Sequence, residues 1–530
     1  MVTSNFIGYK RSSNGQNSFQ AESPETGEKL TEKFYWATAG ELQESVALSA
    51  LAFELYKEVS MLSRARFLEA IAEELNTDAA AIIERVSLET GYPIGRARAE
   101  FVRTCNQVTL FAKLLREGSW VDARIDTADT KREPSPKPDI RRSLVPLGPV
   151  VVFGASNFPL AFSTIGGDTV SALAAGCPVI IKAHPLHPGT NSLVSLAIVR
   201  AALHQSMPEG VFSSLHLTNE MAMQLVMHPQ IKAVGFTGSR PTGLRLMEAT
   251  IKRDYPIPVY AEMSSINPVV VLPGAIKTNG NAIAAGLADA ISLGAGQFCT
   301  NPGLLILMNT EDTKHFIRRL ANSANEKAPQ LMLGKAILEN YFEKLTYLLS
   351  FDGVSHLNDQ TTDGEEAKIN NKVKPTLLEV TGSAFLSNKL LQDEVFGPAT
   401  LIVRCYGTDE LIAVLEYLQG QLTATLHASP LDDIFMQQKI VSILRNKVGR
   451  IIFNGYPTGV EVCDAMQHGG PYPSTSDVRF TSVGTAAIVR FVRPLAFQDF
   501  PDSLLPLALQ NANPENILRK VNGQLTSEKL

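Results

Sequence analysis

Between Leu147 and Ile181 the chain carries only two ionisable side chains, Asp168 and Cys177. A stretch this apolar has to be buried, either in a membrane or in a protein core. Asn157, Pro159, Gly166, Gly167, Asp168 and Pro178 interrupt it, so it lacks the ~18 uninterrupted apolar residues of a spanning helix. The pieces between the interruptions alternate. VPLGPVVVFGA reads as a strand entering a turn, Asp168–Ala175 as a helix and CPVIIKA (Cys177–Ala183) as a second strand. The pattern continues through a helix at Asn191–Gln205 and a strand in IKAVGFTGS (Ile231–Ser239). A helix then opens near Ser239, with Pro241 in its first turn, and the strand-like runs VYAEM and NPVVVLP follow. Strands alternating with helices imply an α/β fold with a parallel sheet covered on both faces. Such sheets bind ligands at the carboxyl ends of their strands.

The flanking regions fit around this unit. Residues 40–118 read as helical, for example ELQESVALSALAFELY (Glu41–Tyr56). Asp129–Ser143 is rich in proline and charge and reads as a linker or exposed ribbon. A helix expected from Asn281 leads to GAGQFCT (Gly294–Thr300), and residues 300–460 repeat the alternating pattern as a second α/β domain. Thr485–Phe497 reads as an apolar strand. A length of 530 residues allows two to four domains. A net charge of −5 offers no basic excess for a nucleic-acid partner. The five cysteines (105, 177, 299, 405 and 463) stand singly, with no Cys/His spacing of a metal site, so no metal is expected. Together with a start, MVTSNFIGYK, that lacks an apolar signal core, they point to a reducing compartment, the cytoplasm.

Which residues carry chemistry? Cys299 follows a glycine-rich approach and the polar Gln297, as a thiol that must be reached would; the alternative is an inert buried thiol, as Cys177, Cys405 and Cys463 read. Glu262 ends an apolar run, where a carboxylate is costly unless used or paired; the alternative is a cap or strand-edge acid. Asn157, in GASNFPLAF, can donate to an oxyanion or simply make a turn. Most of the nine histidines stand in surface-like contexts such as HPLHPG (His184–Gly189), and none is marked as a base for the thiol. The G-x-G-x-x-G and Walker A patterns are absent, but GFTGSRPTG (Gly235–Gly243) puts glycine and Ser239 at a strand-to-helix turn, where free N–H groups attract phosphate.

In order, GASNFP, VIIKAH, GFTGS, AEM, GQFCT and DEVFGP resemble the aldehyde dehydrogenase superfamily, from about residue 20 to the end. GYPTGVEVCDAMQHGGPYPST and VRPLAFQDFPDSLLP resemble its branch of NADP-dependent and α-ketoglutaric semialdehyde (2,5-dioxopentanoate) dehydrogenases, which includes a bacterial fatty aldehyde dehydrogenase. The resemblance implies Cys299 as nucleophile, Glu262 as general base and Asn157 as oxyanion donor. It implies cofactor contacts from Lys182, Gly238, Ser239, Glu394 and Phe396. Phe158, Phe162 and Phe298 would wall the substrate channel, with Arg103 at its mouth for a distal carboxylate. It implies a Rossmann-type dinucleotide-binding domain (1–134 and 148–264), a catalytic domain (265–460), an oligomerisation ribbon (135–147 and 484–498) and a C-terminal tail (499–530). The ribbon would pair Lys137–Val145 with Thr485–Phe497 in a homodimer or homotetramer.

Two departures from the family pattern stand out. Met263-Ser264-Ser265-Ile266 replaces the usual Leu-Gly-Gly-Lys, and Pro185 stands where NAD-preferring members carry glutamate. The second removes repulsion against a 2′-phosphate, so NADP is preferred and NAD possible. The expected reaction is oxidation of 2,5-dioxopentanoate to 2-oxoglutarate. The alternatives are a medium- or long-chain fatty aldehyde, a Coenzyme-A-acylating enzyme, a Cys-His hydrolase, or a dinucleotide-binding protein without catalysis.

Overall fold

The computed structural model of the chain describes residues 3–358 and 370–530. Four helices come first: α1 (Ala39–Tyr56), α2 (Met61–Thr77), α3 (Ala79–Thr90) and α4 (Ile94–Glu117). Thr38 and Glu41 close a reciprocal capping box at the start of α1, and Gly91 and Gly118 end α3 and α4 in left-handed geometry. Their apolar stripes pack with the buried run that begins at Val150 in one continuous core.

The strands of the first sheet are β1 (Asn5–Ile7), β2 (Lys10–Ser12), β3 (Val150–Phe153), β4 (Val179–Lys182), β5 (Phe212–Leu215), β6 (Ala233–Thr237) and β7 (Val259–Glu262). They lie in the order β7-β6-β3-β4-β5-β1-β2. The five from β3 to β7 are parallel, and β1 and β2 extend the sheet antiparallel. Register aligns their ends: Phe153 pairs with Lys182 and with Phe236, and Thr237 with Glu262. GASN, Lys182, GFTGS and Glu262, far apart in the chain, therefore share one rim of the sheet. α5 (Gly167–Ala175), α6 (Pro188–His204), α7 (Asn219–Met227) and α8 (Arg240–Ile251) make the crossovers. Asp168, the one carboxylate in the apolar run, pairs with Arg490 at 2.7 Å, both groups buried.

The second sheet contains β8 (Val269–Val271), β9 (Leu304–Met308), β10 (Ser355–His356), β11 (Thr376–Thr381), β12 (Ala399–Cys405), β13 (Gln421–His427) and β14 (Val448–Phe453), in the order β10-β11-β12-β9-β8-β13-β14. Its connecting helix, α9 (Pro273–Ser292), starts at Pro273 rather than at Asn281. Asn279 alone leaves helical geometry, at a kink just before Asn281.

The expected terminal strand is also shorter. Thr485–Phe491 is a 3-10 helix, and only Val492–Gln498 is extended, antiparallel to Ile140–Pro146 from Val492↔Pro146 to Gln498↔Ile140. Burial of Arg490 against Asp168 and of Phe491 in the core fixes this turn inward before the strand leaves. Arg124–Asp126, Arg519–Val521 and Gln524–Thr526 complete a five-stranded sheet, so residues read as tail contribute two strands. Among the described residues no helix is long and apolar enough to cross a membrane.

Candidate active site

Cys299 reaches its place through an unusual turn. After α9 ends, Gly294, Ala295 and Gly296 all have left-handed φ values, of 57°, 55° and 64°. At Gly296 any side chain would also meet the backbone of Gly397, with a Cβ only 2.3 Å from its carbonyl oxygen. The glycines thus bend the chain sharply and let it press against the turn that carries Glu394 and Phe396. The fully buried Gln297 locks the bend: its amide donates to the Gly294 and Leu331 carbonyls at 3.1 and 3.3 Å and accepts from the Leu333 N–H at 3.0 Å. Asn267, unremarked in the sequence, holds the other side by donating to the carbonyls of Cys299 (2.9 Å) and Asn301 (2.8 Å).

The thiol and the acid lie in one cluster, and the Asn157 amide reaches the backbone two residues before the cysteine. Asn157 donates one amide hydrogen to the Gln297 carbonyl at 3.0 Å, which leaves the second for a ligand beside Cys299. The Cys299 N–H donates to no described residue. Glu262 ends β7 at 4% exposure, its backbone pinned where Gly238 N–H meets its carbonyl at 3.0 Å and Met263 N–H meets Ser474 at 2.8 Å.

A fourth group, absent from the sequence reading, stands between thiol and acid. His468 Nε2 lies 3.4 Å from Cys299 Sγ and 3.0 Å from Glu262 Oε1, at 1% exposure. Ser482 donates to the other Glu262 oxygen. The sequence signal was available: His468 lies in the AMQHGGPYPST stretch. Its role was illegible because it sits 169 residues beyond the cysteine, in an irregular loop. His187 likewise departs from its surface reading: it is fully buried, with Nε2 at 2.8 Å from the Ala155 carbonyl.

Electrostatics separates the two acids of this cluster. Burial, then the charge of Glu262, pushes the Cys299 thiol well above its ordinary range. Burial also acts to raise Glu262, but the charge and hydrogen bond of His468 and the hydrogen bonds from Ser482 and Cys299 outweigh it and hold the carboxyl below its usual value. The resting pair is therefore a neutral thiol beside an ionised carboxylate. His468 Nδ1 is buried without a partner among the described residues, while Nε2 faces both the carboxylate and the thiol.

The remaining predicted residues gather on two sides. Phe158 meets Phe162 at 5.4 Å and Phe298 edge-on at 5.3 Å between ring centroids, forming an apolar wall beside the thiol. The guanidinium of Arg103, on α4, lies over the Phe162 ring at 5.5 Å. It is not a solvated helix arginine: burial lowers its pKa, its charge acts on Glu100, Cys299 and Glu262, and Nη1 is buried with no partner among the described residues. On the other side, Glu394 and Phe396 line a cleft with Phe298, Gly296 and Ser265. Burial raises the Glu394 carboxyl, which accepts from the Ser265 N–H at 3.4 Å. Lys182 is buried at the end of β4 with no carboxylate in ion-pair reach among the described residues, and burial lowers it to about 8. Ser239 stands at the N-cap position of α8 without a side-chain capping bond, and Gly238 is tucked against the Phe236 ring. An unpaired ammonium, a helix start and a carboxyl at a cleft edge are a donor set that fits a dinucleotide's riboses and pyrophosphate.

Residues 9–489 match the model of the aldehyde dehydrogenase family. The chain belongs to the aldehyde dehydrogenase family. This aldehyde dehydrogenase is 46% identical to alpha-ketoglutaric semialdehyde dehydrogenase 2 of Azospirillum brasilense over 520 residues, 98% of each chain. It is 42% identical to the alpha-ketoglutaric semialdehyde dehydrogenase of Acinetobacter baylyi over 494 residues, 93% of each. In fold it is similar to a 1-pyrroline-5-carboxylate dehydrogenase from Thermus with bound NAD (TM-score 0.77, 20% identity, 94% of this chain and 92% of that one). The aldehyde dehydrogenase is thus an oxidoreductase that takes an aldehyde and a nicotinamide dinucleotide.

Proposed function

We propose that this enzyme oxidises 2,5-dioxopentanoate to 2-oxoglutarate, with NADP preferred and NAD accepted. The observation that carries the substrate is Arg103: a buried guanidinium with an unpaired Nη1, beside the apolar wall and within electrostatic reach of the thiol. A cation buried without a partner is costly, and a substrate carboxylate would relieve that cost. The two relatives named for α-ketoglutaric semialdehyde support the same reading. A long alkyl chain is the poorer fit, because it would leave the cation unpaired.

The residues then divide the work. Glu262 takes the thiol proton, and His468 Nε2 faces the thiolate that forms, 3.4 Å away. The thiolate attacks the aldehyde carbon, and the oxyanion accepts from the Cys299 N–H and the free Asn157 amide hydrogen. The nicotinamide, when bound, supplies the acceptor for the hydride. A Cys299 thioester remains. Glu262, having released the thiol proton to solvent, takes a proton from water, whose oxygen attacks the thioester; the C–S bond breaks, the carboxylic acid leaves, and Glu262 returns that proton to the departing thiolate. Lys182, Gly238 and Ser239 hold the adenosine and pyrophosphate end, and Glu394 and Phe396 the nicotinamide end. In this reading residues 1–134 and 148–264 bind the dinucleotide, 265–460 carry the thiol, and the ribbon (135–147 and 484–498) joins subunits of a cytoplasmic homodimer or homotetramer through the edge strand Val492–Gln498.

A panel of aldehydes with and without a distal carboxylate, run with both dinucleotides, tests the substrate. Arg103→Met is expected to lower kcat/KM for the semialdehyde by about 10²-fold, as loss of one partner of a buried charge pair does. For a plain aliphatic aldehyde of equal length it should change less than ~5-fold, well under that charge-pair effect. Equal losses for both would remove Arg103 from substrate recognition. The cofactor is tested by pH. Lys182 titrates at about 8 in the free enzyme, and a bound 2′-phosphate favours its charged form. The Kd for NADP is therefore expected to rise up to ~10-fold per pH unit above that value, with a smaller change for NAD. Parallel pH profiles for the two would contradict the preference.

A further inference from the structure

Cys299, Glu262 and His468 are also three good metal donors. Sγ lies 3.4 Å from Nε2, Nε2 lies 3.0 Å from Oε1, and all three atoms fall within 4.8 Å of one another. Tetrahedral zinc holds sulfur at about 2.3 Å and nitrogen or oxygen at about 2.0–2.2 Å, which puts neighbouring donors roughly 3.3–3.6 Å apart. The side chains need to part by only a few tenths of an ångström, and none has to cross the site.

We propose that this centre captures one Zn²⁺ ion between Cys299 Sγ, His468 Nε2 and Glu262 Oε1, as an inhibitory site for borderline-soft divalent cations. The ion replaces the thiol proton, which leaves to solvent. The carboxylate enters already ionised, and the imidazole proton stands on Nδ1 so that Nε2 can ligate. Thiolate and carboxylate together neutralise the ion, which matters in a site this buried. A fourth position remains for water on the side of the substrate channel, as in open zinc sites. Magnesium and calcium, which require oxygen ligands, are excluded by the sulfur and the imidazole.

In the proposed reaction these same three side chains act, so a bound ion would tie them up together and stop turnover. An acyl group on the sulfur and a zinc ion exclude one another. His468 Nδ1 has no acceptor among the described residues, so a proton there gains no hydrogen bond. The lost outer-shell support makes this a reversible site, weaker than a closed structural one.

Cobalt titrated into the wild-type enzyme, in buffer without added thiol reductant, tests the site without turnover. The expected result is a near-ultraviolet thiolate-to-cobalt charge-transfer band that saturates at one ion per chain and that Zn²⁺, but not Mg²⁺, abolishes. In competition with a chromophoric chelator, His468→Gln and Glu262→Gln are each expected to weaken Zn²⁺ binding ~100-fold or more, at or beyond the cost of losing an outer-shell partner. Cys463→Ala, which removes a thiol outside the cluster, should bind as the parent does. Wild-type enzyme blocked with iodoacetamide at Cys299 should lose the band, which keeps the test open if a variant fails to fold. Absence of the band, full affinity in a folded His468→Gln enzyme, or loss of binding in Cys463→Ala would each overturn the proposal.

Discussion

Cys299→Ala is expected to lower kcat/KM for aldehyde oxidation by at least ~10³-fold, the scale of losing a catalytic nucleophile. Cys105, Cys177 and Cys405 are buried, and burial raises each thiol to about 11 or 12. Cys463 is half-buried and has no hydrogen-bonded base among the described residues. None of them can replace the lost sulfur. The side chain removed is small and carries no structural hydrogen bond beyond the catalytic cluster, so the melting temperature and dinucleotide binding should stay close to the parent's. Steady-state formation of reduced cofactor and a thermal melt check the two halves of the expectation. Retained oxidation in the alanine variant would remove the thioester from the mechanism.

Glu262→Gln is expected to act in opposite directions on two readouts. Turnover should fall by about 10²–10⁴-fold, the usual contribution of a general base. Thiol reactivity should rise. After burial, the charge of Glu262 is the main force that raises Cys299, and glutamine removes it. The thiol pKa then falls toward its ordinary value, so at any fixed pH below that range more thiolate is present and iodoacetamide labels Cys299 faster. Slower labelling would mean that the carboxylate supports the thiolate rather than opposing it, and the charge assignment would be reversed.

The parallel sheet and its chemistry were legible because they rest on local signals. Val150–Phe153 and Val179–Lys182 are short β-branched runs between glycines and prolines, and their carboxyl ends place Asn157 and Lys182 by topology alone. Cys299 and Glu262 stood out for the same reason, as a thiol after glycines and an acid after an apolar run. His468 had no such mark. Its neighbours follow neither helical nor strand spacing, and its meaning lies in contacts with residues 169 and 206 positions away. Asn267 was invisible for a related reason: its left-handed backbone and its bonds to the cysteine loop exist only once both sheets have formed. The late start assigned to α9 and the strand assigned to Thr485–Phe491 have a common origin. Asn279-Gly280 and the apolar run after Thr485 give local signals that tertiary packing overrides.

Intact-protein mass spectrometry of Glu262→Gln, mixed with aldehyde and NADP and then quenched, tests most directly whether thiol, acid and amide meet around one carbonyl. The expected result is one equivalent of reduced cofactor formed rapidly, with the acyl group covalently held on the peptide that contains Cys299 and lost only slowly to water. Steady turnover with no adduct, or an adduct on any other residue, would contradict it.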